Sequence, residues 1–332
     1  MSDQTLKVVI PMAGFGSRLR PLTWSRPKAL LTLADKAVLA HVLDMLQTLP
    51  DPQNVEFIFI VGYLGEQFAP YMQENYPHLK VHYVEQAEMR GQSHAIYLAK
   101  EHLGGPMLMI FADTLIESDL GFLAQEEAQA VAWVKEVPDP RRFGVAVTDA
   151  QGRVQRLVEK PQSMENRQAV VGFYYFEDSL RLIAAIEEQM RRDLQLKGEY
   201  FLADAINLML EDGLRMRTQH VDVWLDAGVP QTMLETNAYL LEHGRDNSAT
   251  AIRPGVAIIP PVYIHPAAQV RSSVIGPFVS IGAGCDVQNA VLRNSIVEAG
   301  TILQDVVLTD SLIGQNAHVA GRASALILGD NT

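Results

Sequence analysis

The chain has 332 residues, 48% of them apolar and 20% charged, more apolar material than one core of ~150 residues needs, so two domains are expected and disorder is excluded. Its net charge of −12 produces a surface field that repels nucleic acid and anionic lipid. One cysteine, Cys285, excludes an internal disulfide and, with no Cys or His cluster around it, a structural zinc site.

In chain order, Leu6 to Ala13 is a β-branched apolar run that predicts a buried strand entering a glycine turn, Gly14-Phe15-Gly16-Ser17. Apolar runs recur at Val55 to Gly62, Val81 to Val84 and Met107 to Ala112, separated by amphipathic stretches at Ala37 to Leu49 and Gly91 to His102. This alternation predicts a mainly parallel α/β sheet with helices on both faces, whose ligands sit beyond the carboxyl ends of the strands. Further strands are expected at Ala130 to Val137, Arg153 to Glu159, Val170 to Phe176 and Arg215 to Val223. Helices are expected at Asp178 to Arg191, Phe201 to Glu211 and Val229 to Glu242.

After Gly244 the pattern changes. From Ala251 to Leu328 branched apolar residues recur six apart, as in Ile258, Ile264, Val270 and in Ile275, Ile281, Val287, with no helical period. Such spacing predicts a β-helix of roughly four coils at about 18 residues each. It resembles the left-handed β-helix of hexapeptide-repeat proteins. The expected domains are 1-245 and 246-332. No apolar run approaches the ~18 residues that span a bilayer, and Met1 to Lys7 lacks the basic start of a signal peptide. A cytoplasmic location is therefore expected, with neither a membrane nor a nucleic acid as partner.

The charge is unevenly placed. Residues 4 to 34 hold no Asp or Glu yet carry Lys7, Arg18, Arg20, Arg26 and Lys28, one positive site on an acidic chain. Glycines after a strand let backbone N–H groups approach phosphate oxygens, and Arg and Lys add charge-assisted hydrogen bonds. The dinucleotide fingerprint would need a third Gly where Leu19 stands, and the P-loop would need Gly-Lys-Ser/Thr; neither is present. Asp113 follows the apolar strand, and a second acid, Asp226, lies in Trp224-Leu225-Asp226-Ala227-Gly228-Val229-Pro230. Two carboxylates with phosphate oxygens suit Mg²⁺. Of the nine histidines only His78 and His82 stand four apart, with no cysteine or third histidine beside them, so no histidine metal site is expected.

The run from Gly14 to Lys28 resembles the glycine-rich signature of the sugar-1-phosphate nucleotidylyltransferases, and the likeness continues in family order to about residue 240. In feel it is nearest to the glucose-1-phosphate thymidylyltransferases and uridylyltransferases. The resemblance implies that Ala13, Gly14, Gly16 and Ser17 line the nucleotide and that Gln86 and Gly91 read its base. It further implies catalytic roles for Arg18, Lys28 and Lys160, a sugar-phosphate pocket with Gly144, Glu159, Lys160 and Gly172, and Mg²⁺ on Asp113 and Asp226. Ala13, Ala112 and Val229 depart from the family's usual Gly, Gly and Thr, and Phe201 and Ala203 replace polar residues. The implied reaction joins an NTP, dTTP or UTP favoured, to a sugar 1-phosphate, glucose 1-phosphate favoured, in a homo-oligomer. Alternatives are a mannose-1-phosphate guanylyltransferase, a regulatory paralogue that binds nucleotide sugar without turnover, and a hexapeptide acyltransferase using His265 or His318.

Overall fold

The computed structural model describes residues 5–322; the end of the expected repeat, including Leu328, lies outside them. In chain order the elements are β1 (Leu6–Pro11), the hairpin β2 (Thr32–Leu33) and β3 (Lys36–Ala37), α1 (Val38–Met45), β4 (Val55–Val61), α2 (Phe68–Asn75), β5 (Lys80–Glu85) and α3 (Gln92–Leu98). They continue with β6 (Met107–Ile110), β7 (Thr114–Ile116), β8 (Ala130–Glu136), β9 (Gly144–Thr148), β10 (Val154–Glu159), β11 (Gln168–Phe176), α4 (Ser179–Arg191), α5 (Leu202–Glu211), β12 (Met216–His220), β13 (Trp224–Asp226) and α6 (Pro230–Leu240). Two compact units result. The first holds the described residues up to Gly16 with Ser25–Ala29 and Leu39–Leu225; the second holds Ser17–Trp24, Leu30–Val38 and the described residues from Asp226 on.

The first unit is built on a nine-stranded sheet in the order β10-β9-β11-β6-β1-β4-β5, with β8 pairing β11 and β12 pairing β8. Strands β6, β1, β4 and β5 are parallel, as the buried apolar runs predict. The other half is mixed: β11 runs antiparallel to both β6 and β8, and β10 antiparallel to β9. Alternate residues of the central strands, Val9, Ile58, Ile60 and Met109, share a core with Ile96 of α3, Leu182 and Ile186 of α4 and Ile206 of α5. Their neighbours Val8, Ile10, Phe57 and Phe59 point to the opposite face by the period of two and are equally buried. Strand β1 lies between β6 and β4, where the strand order reverses, and a doubly wound sheet opens its crevice at that point.

The second unit contains three four-stranded parallel sheets, beginning with Val256–Ile258, Val262–Ile264 and Gln269–Arg271. This is the left-handed β-helix expected, with four coils among the described residues. Val262, Ile264, Val270, Ile275, Ile281, Val287, Leu292 and Leu303 fill its interior. Successive coils step by 17 or 16 residues, as in the bond from Ala290 N–H to Ser273 Oγ (17 apart) and the Asn294–Asp310 pair (16 apart). The step is shorter than three full hexapeptides. Cys285 is buried in this core, where burial pushes its thiol pKa up. His265 uses Nδ1 to accept the Ala267 N–H at 3.1 Å, a turn contact. Among the described residues no helix is long and apolar enough to cross a membrane.

Candidate active site

Parallel pairing brings the ends of β1, β4, β5 and β6 to one edge. Gly62 follows β4 so closely that an added Cβ would lie 2.9 Å from the Ala13 Cβ and 3.0 Å from the Gln86 carbonyl oxygen. The residues after three neighbouring strands therefore touch there. Ala13 is buried, so its methyl fills this junction. Gly14 and Phe15 are exposed beyond it, and a Cβ on Gly14 would meet nothing within 4 Å. Packing within the protein does not demand a glycine there.

The next loop on this edge, after β6, carries Asp113. The Thr114 N–H closes the turn on the Phe111 carbonyl at 3.1 Å, and the Thr114 hydroxyl donates to the Val171 carbonyl at 3.0 Å. Ala112 is buried, so the methyl that replaces the usual glycine hydrogen faces protein. The Asp113 carboxylate is ion-paired with the Lys28 ammonium, from 85 residues earlier in the chain. Each side chain keeps about a fifth of its surface exposed, 20% and 21%. A cation and a carboxylate thus face each other at the open edge, still reachable by solvent.

Gly172 meets the same loop from β11. Its carbonyl accepts the Phe111 N–H at 2.9 Å, and its φ of +79° admits the chain where the Phe111 ring lies 2.2 Å from a would-be Cβ. The glycine is required by that ring, and Phe173 and Tyr174 beside it are buried core.

Gln86 is 5% exposed and donates through Nε2 to the Gly91 carbonyl at 3.2 Å, with His94 Nδ1 3.4 Å away. Burial lowers the His94 pKa, with the Arg90 guanidinium adding to it, so the ring is neutral at pH 7. Gly91 has φ +95°, and a Cβ would lie 2.6 Å from both the backbone N and O of Tyr200. Tyr200 N–H donates to the Arg90 carbonyl and its own carbonyl accepts the Ser93 N–H. This anchoring role of Tyr200 was not foreseen, although the Gly198-Glu199-Tyr200 segment marks the place.

Glu159 ends β10 opposite Gly144 in register. Burial raises its carboxyl pKa, and Asp204 and Glu199 push the same way, against the Lys160 ammonium 3.4 Å distant. Lys160 itself sits at φ +48°, an uncommon backbone for a lysine. Its Nζ lies 5.0 Å from the centre of the Phe201 ring, so Phe201 supplies an aromatic face rather than a polar contact. Phe143 meets Trp224 edge to face at 5.0 Å.

Ser17, Arg18 and Asp226 belong to the second unit. Ser17 and Arg18 are exposed on a 3-10 turn pinned by buried Leu19. Asp226 Oδ1 accepts the Gly228 N–H at 3.1 Å and Oδ2 accepts the Thr232 hydroxyl at 2.7 Å. Thr232 also takes the Val229 N–H at 3.3 Å, its side chain reaching back from the first turn of α6 to the residue that precedes the helix. The structure therefore joins Lys28 to Asp113, Gln86 to Gly91, and Glu159 to Gly144 and Lys160. Among the described residues no cluster of three or more His, Cys, Asp and Glu stands ready to hold a metal alone.

The Lys28–Asp113 pair at the strand edge agrees with the relationship found by comparison, since the nucleotidyl transferase family matches residues 7–243. The chain belongs to the nucleotidyl transferase family. It is 33% identical over 238 residues to the bifunctional protein GlmU of Methanocaldococcus jannaschii, covering 71% of this chain and 55% of that one. The chain thus spans little more than half the length of that relative. It is 26% identical to a glucose-1-phosphate thymidylyltransferase of Streptomyces griseus over 358 residues, 98% of each chain. The structure of a UDP-glucose pyrophosphorylase complexed with UDP-glucose has the same fold, with a TM-score of 0.61 at 20% identity, covering 72% of this chain and all (100%) of that one.

Proposed function

We propose that this nucleotidyltransferase joins an NTP to a sugar 1-phosphate, releasing pyrophosphate and forming an NDP-sugar. The observation that carries the reading is Lys28 paired with Asp113 at the open strand edge beside the glycine loop. A sugar phosphate is largely dianionic at pH 7, its second pKa being about 6, so its oxygen attacks the α-phosphorus without a general base. The P–O bond to pyrophosphate breaks as the new one forms. The protein's task is to align two polyanions and balance the charge on the α-phosphate and leaving group.

The roles are those that the family resemblance implies. Ala13, Gly14, Gly16 and Ser17 present backbone to the triphosphate, and Arg18 and Lys28 supply its cations. Gln86 and Gly91 meet the base, a pyrimidine edge suiting an amide that both donates and accepts. Lys160 binds the sugar phosphate and Glu159 accepts from a sugar hydroxyl, in a pocket bounded by Gly144 and Gly172. Asp113 and Asp226 would hold Mg²⁺, a hard cation that takes carboxylate oxygens and completes its shell with phosphate oxygen and water. Bound there, Mg²⁺ would neutralise developing phosphate charge. dTTP or UTP with glucose 1-phosphate is the favoured pair, supported by the Streptomyces relative that matches along 98% of both chains. The enzyme works in the cytoplasm as a homo-oligomer in this reading. Pyrophosphate release across four NTPs and three sugar phosphates tests it: one or two pairs should dominate, and no release from any pair would reject it.

A further inference from the structure

A β-helix coil needs small or apolar residues at its corners. At the corner after each strand of the Val262–Ile264 stack, register aligns His265, Gly282, Glu298 and Gly314. Glu298 is the one acid in this column, and it is 4% exposed. A carboxylate is costly to bury and adds nothing to coil stacking, so its presence breaks the local rule of the repeat. What compensates it lies 266 residues away in the chain: Oε1 accepts the Thr32 backbone N–H at 2.7 Å and Oε2 accepts the Thr32 hydroxyl at 2.8 Å. Both bonds are charge-assisted, and together they grip one residue by its main chain and its side chain.

A second grip acts two residues on. Asn237, fully buried on α6, accepts the Ala34 N–H at 2.9 Å and the Ser280 hydroxyl at 2.7 Å through Oδ1, and its Nδ2 donates to the Phe278 carbonyl at 3.4 Å. Arg245 then holds Asp35 at 3.2 Å. Residues 32 to 35 are thus tied to the β-helix and to α6, all within the second unit. Lys28, in the first unit, stands four residues before Thr32 in the chain, and Asp226 lies just before α6.

We infer that Glu298 is a positioning residue for the transfer reaction: by clamping Thr32 it fixes the segment that carries Lys28, which makes the β-helix part of the catalytic machinery. The inference rests on the reading of Lys28 as the phosphate-binding cation. The structure supplies gentle variants. Glu298→Ala places a small residue where Gly282 and Gly314 already stand, so the coil tolerates it. Thr32→Val removes the hydroxyl donor from the loop side without touching the β-helix. Glu298→Gln keeps one acceptor for the N–H, while its amide can donate to the Thr32 oxygen.

The experiment measures amide exchange of the 28–34 peptide, melting temperature, and kcat and KM in the full chain. Glu298→Ala should exchange that peptide about tenfold faster and lose about tenfold or more in kcat while still folded. Thr32→Val should follow in the same direction, and Glu298→Gln should recover most of both. A purely structural role would lower only the melting temperature. The inference is overturned if kcat of Glu298→Ala and Thr32→Val stays within twofold of wild type, or if kcat falls with no change in exchange. Lys28→Ala, measured alongside, isolates the other reading: wild-type rates there reject Lys28 as the phosphate cation, while the exchange arm still reports on the clamp.

Discussion

Replacing Lys28 by Ala separates stability from catalysis. In the free enzyme the ammonium faces Asp113, and with a fifth of each side chain exposed (21% and 20%) the pair lies between a surface bridge, worth about 0–1 kcal/mol, and a buried one, whose rupture costs about 3–5 kcal/mol. Removal should cost about 1–2 kcal/mol of stability, which lowers the melting temperature by only a few degrees in a chain of this size. Loss of one preorganised donor to a phosphate that gains charge costs about 3 kcal/mol of barrier, or about a hundredfold in turnover. Substrate must draw Lys28 from Asp113, so part of the ground-state affinity is offset, and the loss should fall on kcat more than on KM. Steady-state pyrophosphate release, with calorimetry on the same samples, reads both effects. Turnover within twofold of wild type in a folded Lys28→Ala protein would refute the reasoning, because the Asp113 contact would then be the whole of this lysine's role.

Asp113→Asn and Asp226→Asn should each remove most activity and weaken its Mg²⁺ dependence, and the double variant should be little worse than either, as for groups acting together; multiplicative losses at unchanged Mg²⁺ requirement would make at least one a turn residue. Because burial raises the Glu159 pKa above 4.5, protonation on the acid side should silence it at higher pH than for an ordinary glutamate, so kcat/KM for the sugar phosphate falls early on acidification. Glu159→Gln should strip the enzyme's share from this limb and leave the substrate's own ionisation near about 6; superimposable profiles would contradict the assignment. Lys7 and Lys80 hold the Glu56 pKa down to about 2 from 4.5, so the stability this carboxylate adds is fully present above 4.5 and disappears as pH falls through about 2. Glu56→Gln should therefore cost about 1–2 kcal/mol at pH 7, discounted because Lys80 is 63% exposed, and the difference should vanish near pH 2; a pH-independent difference would refute the linkage.

Much of this was legible because local chemistry dictated it. Continuous apolar runs suit strands buried on both faces, as at the centre of an α/β sheet, and β1, β4 and β6 lie where those runs stand. A six-residue apolar period has one stable solution, and the coils adopt it. The direction of β11 was not legible, since nothing within Gln168–Phe176 distinguishes antiparallel from parallel pairing; the connections decide it. The hairpin β2–β3 and the strands β7 and β13 have two or three residues each, too few for any period to register. The family signature pointed to Lys28, but its partner Asp113 and the Tyr200 backbone under Gly91 depend on contacts remote in sequence. Glu298 stands where neighbouring coils carry His265, Gly282 and Gly314, yet only the fold brings Thr32 to it.

The most direct test of the central claim follows two labels through one turnover. With dTTP or UTP labelled separately at the α- and γ-phosphorus, and glucose 1-phosphate with Mg²⁺, the α label should appear in the sugar nucleotide and the γ label in pyrophosphate, at equal rates. Release of the γ label as inorganic phosphate, its transfer to the sugar, or an absence of sugar nucleotide with every NTP and sugar phosphate offered would contradict the account.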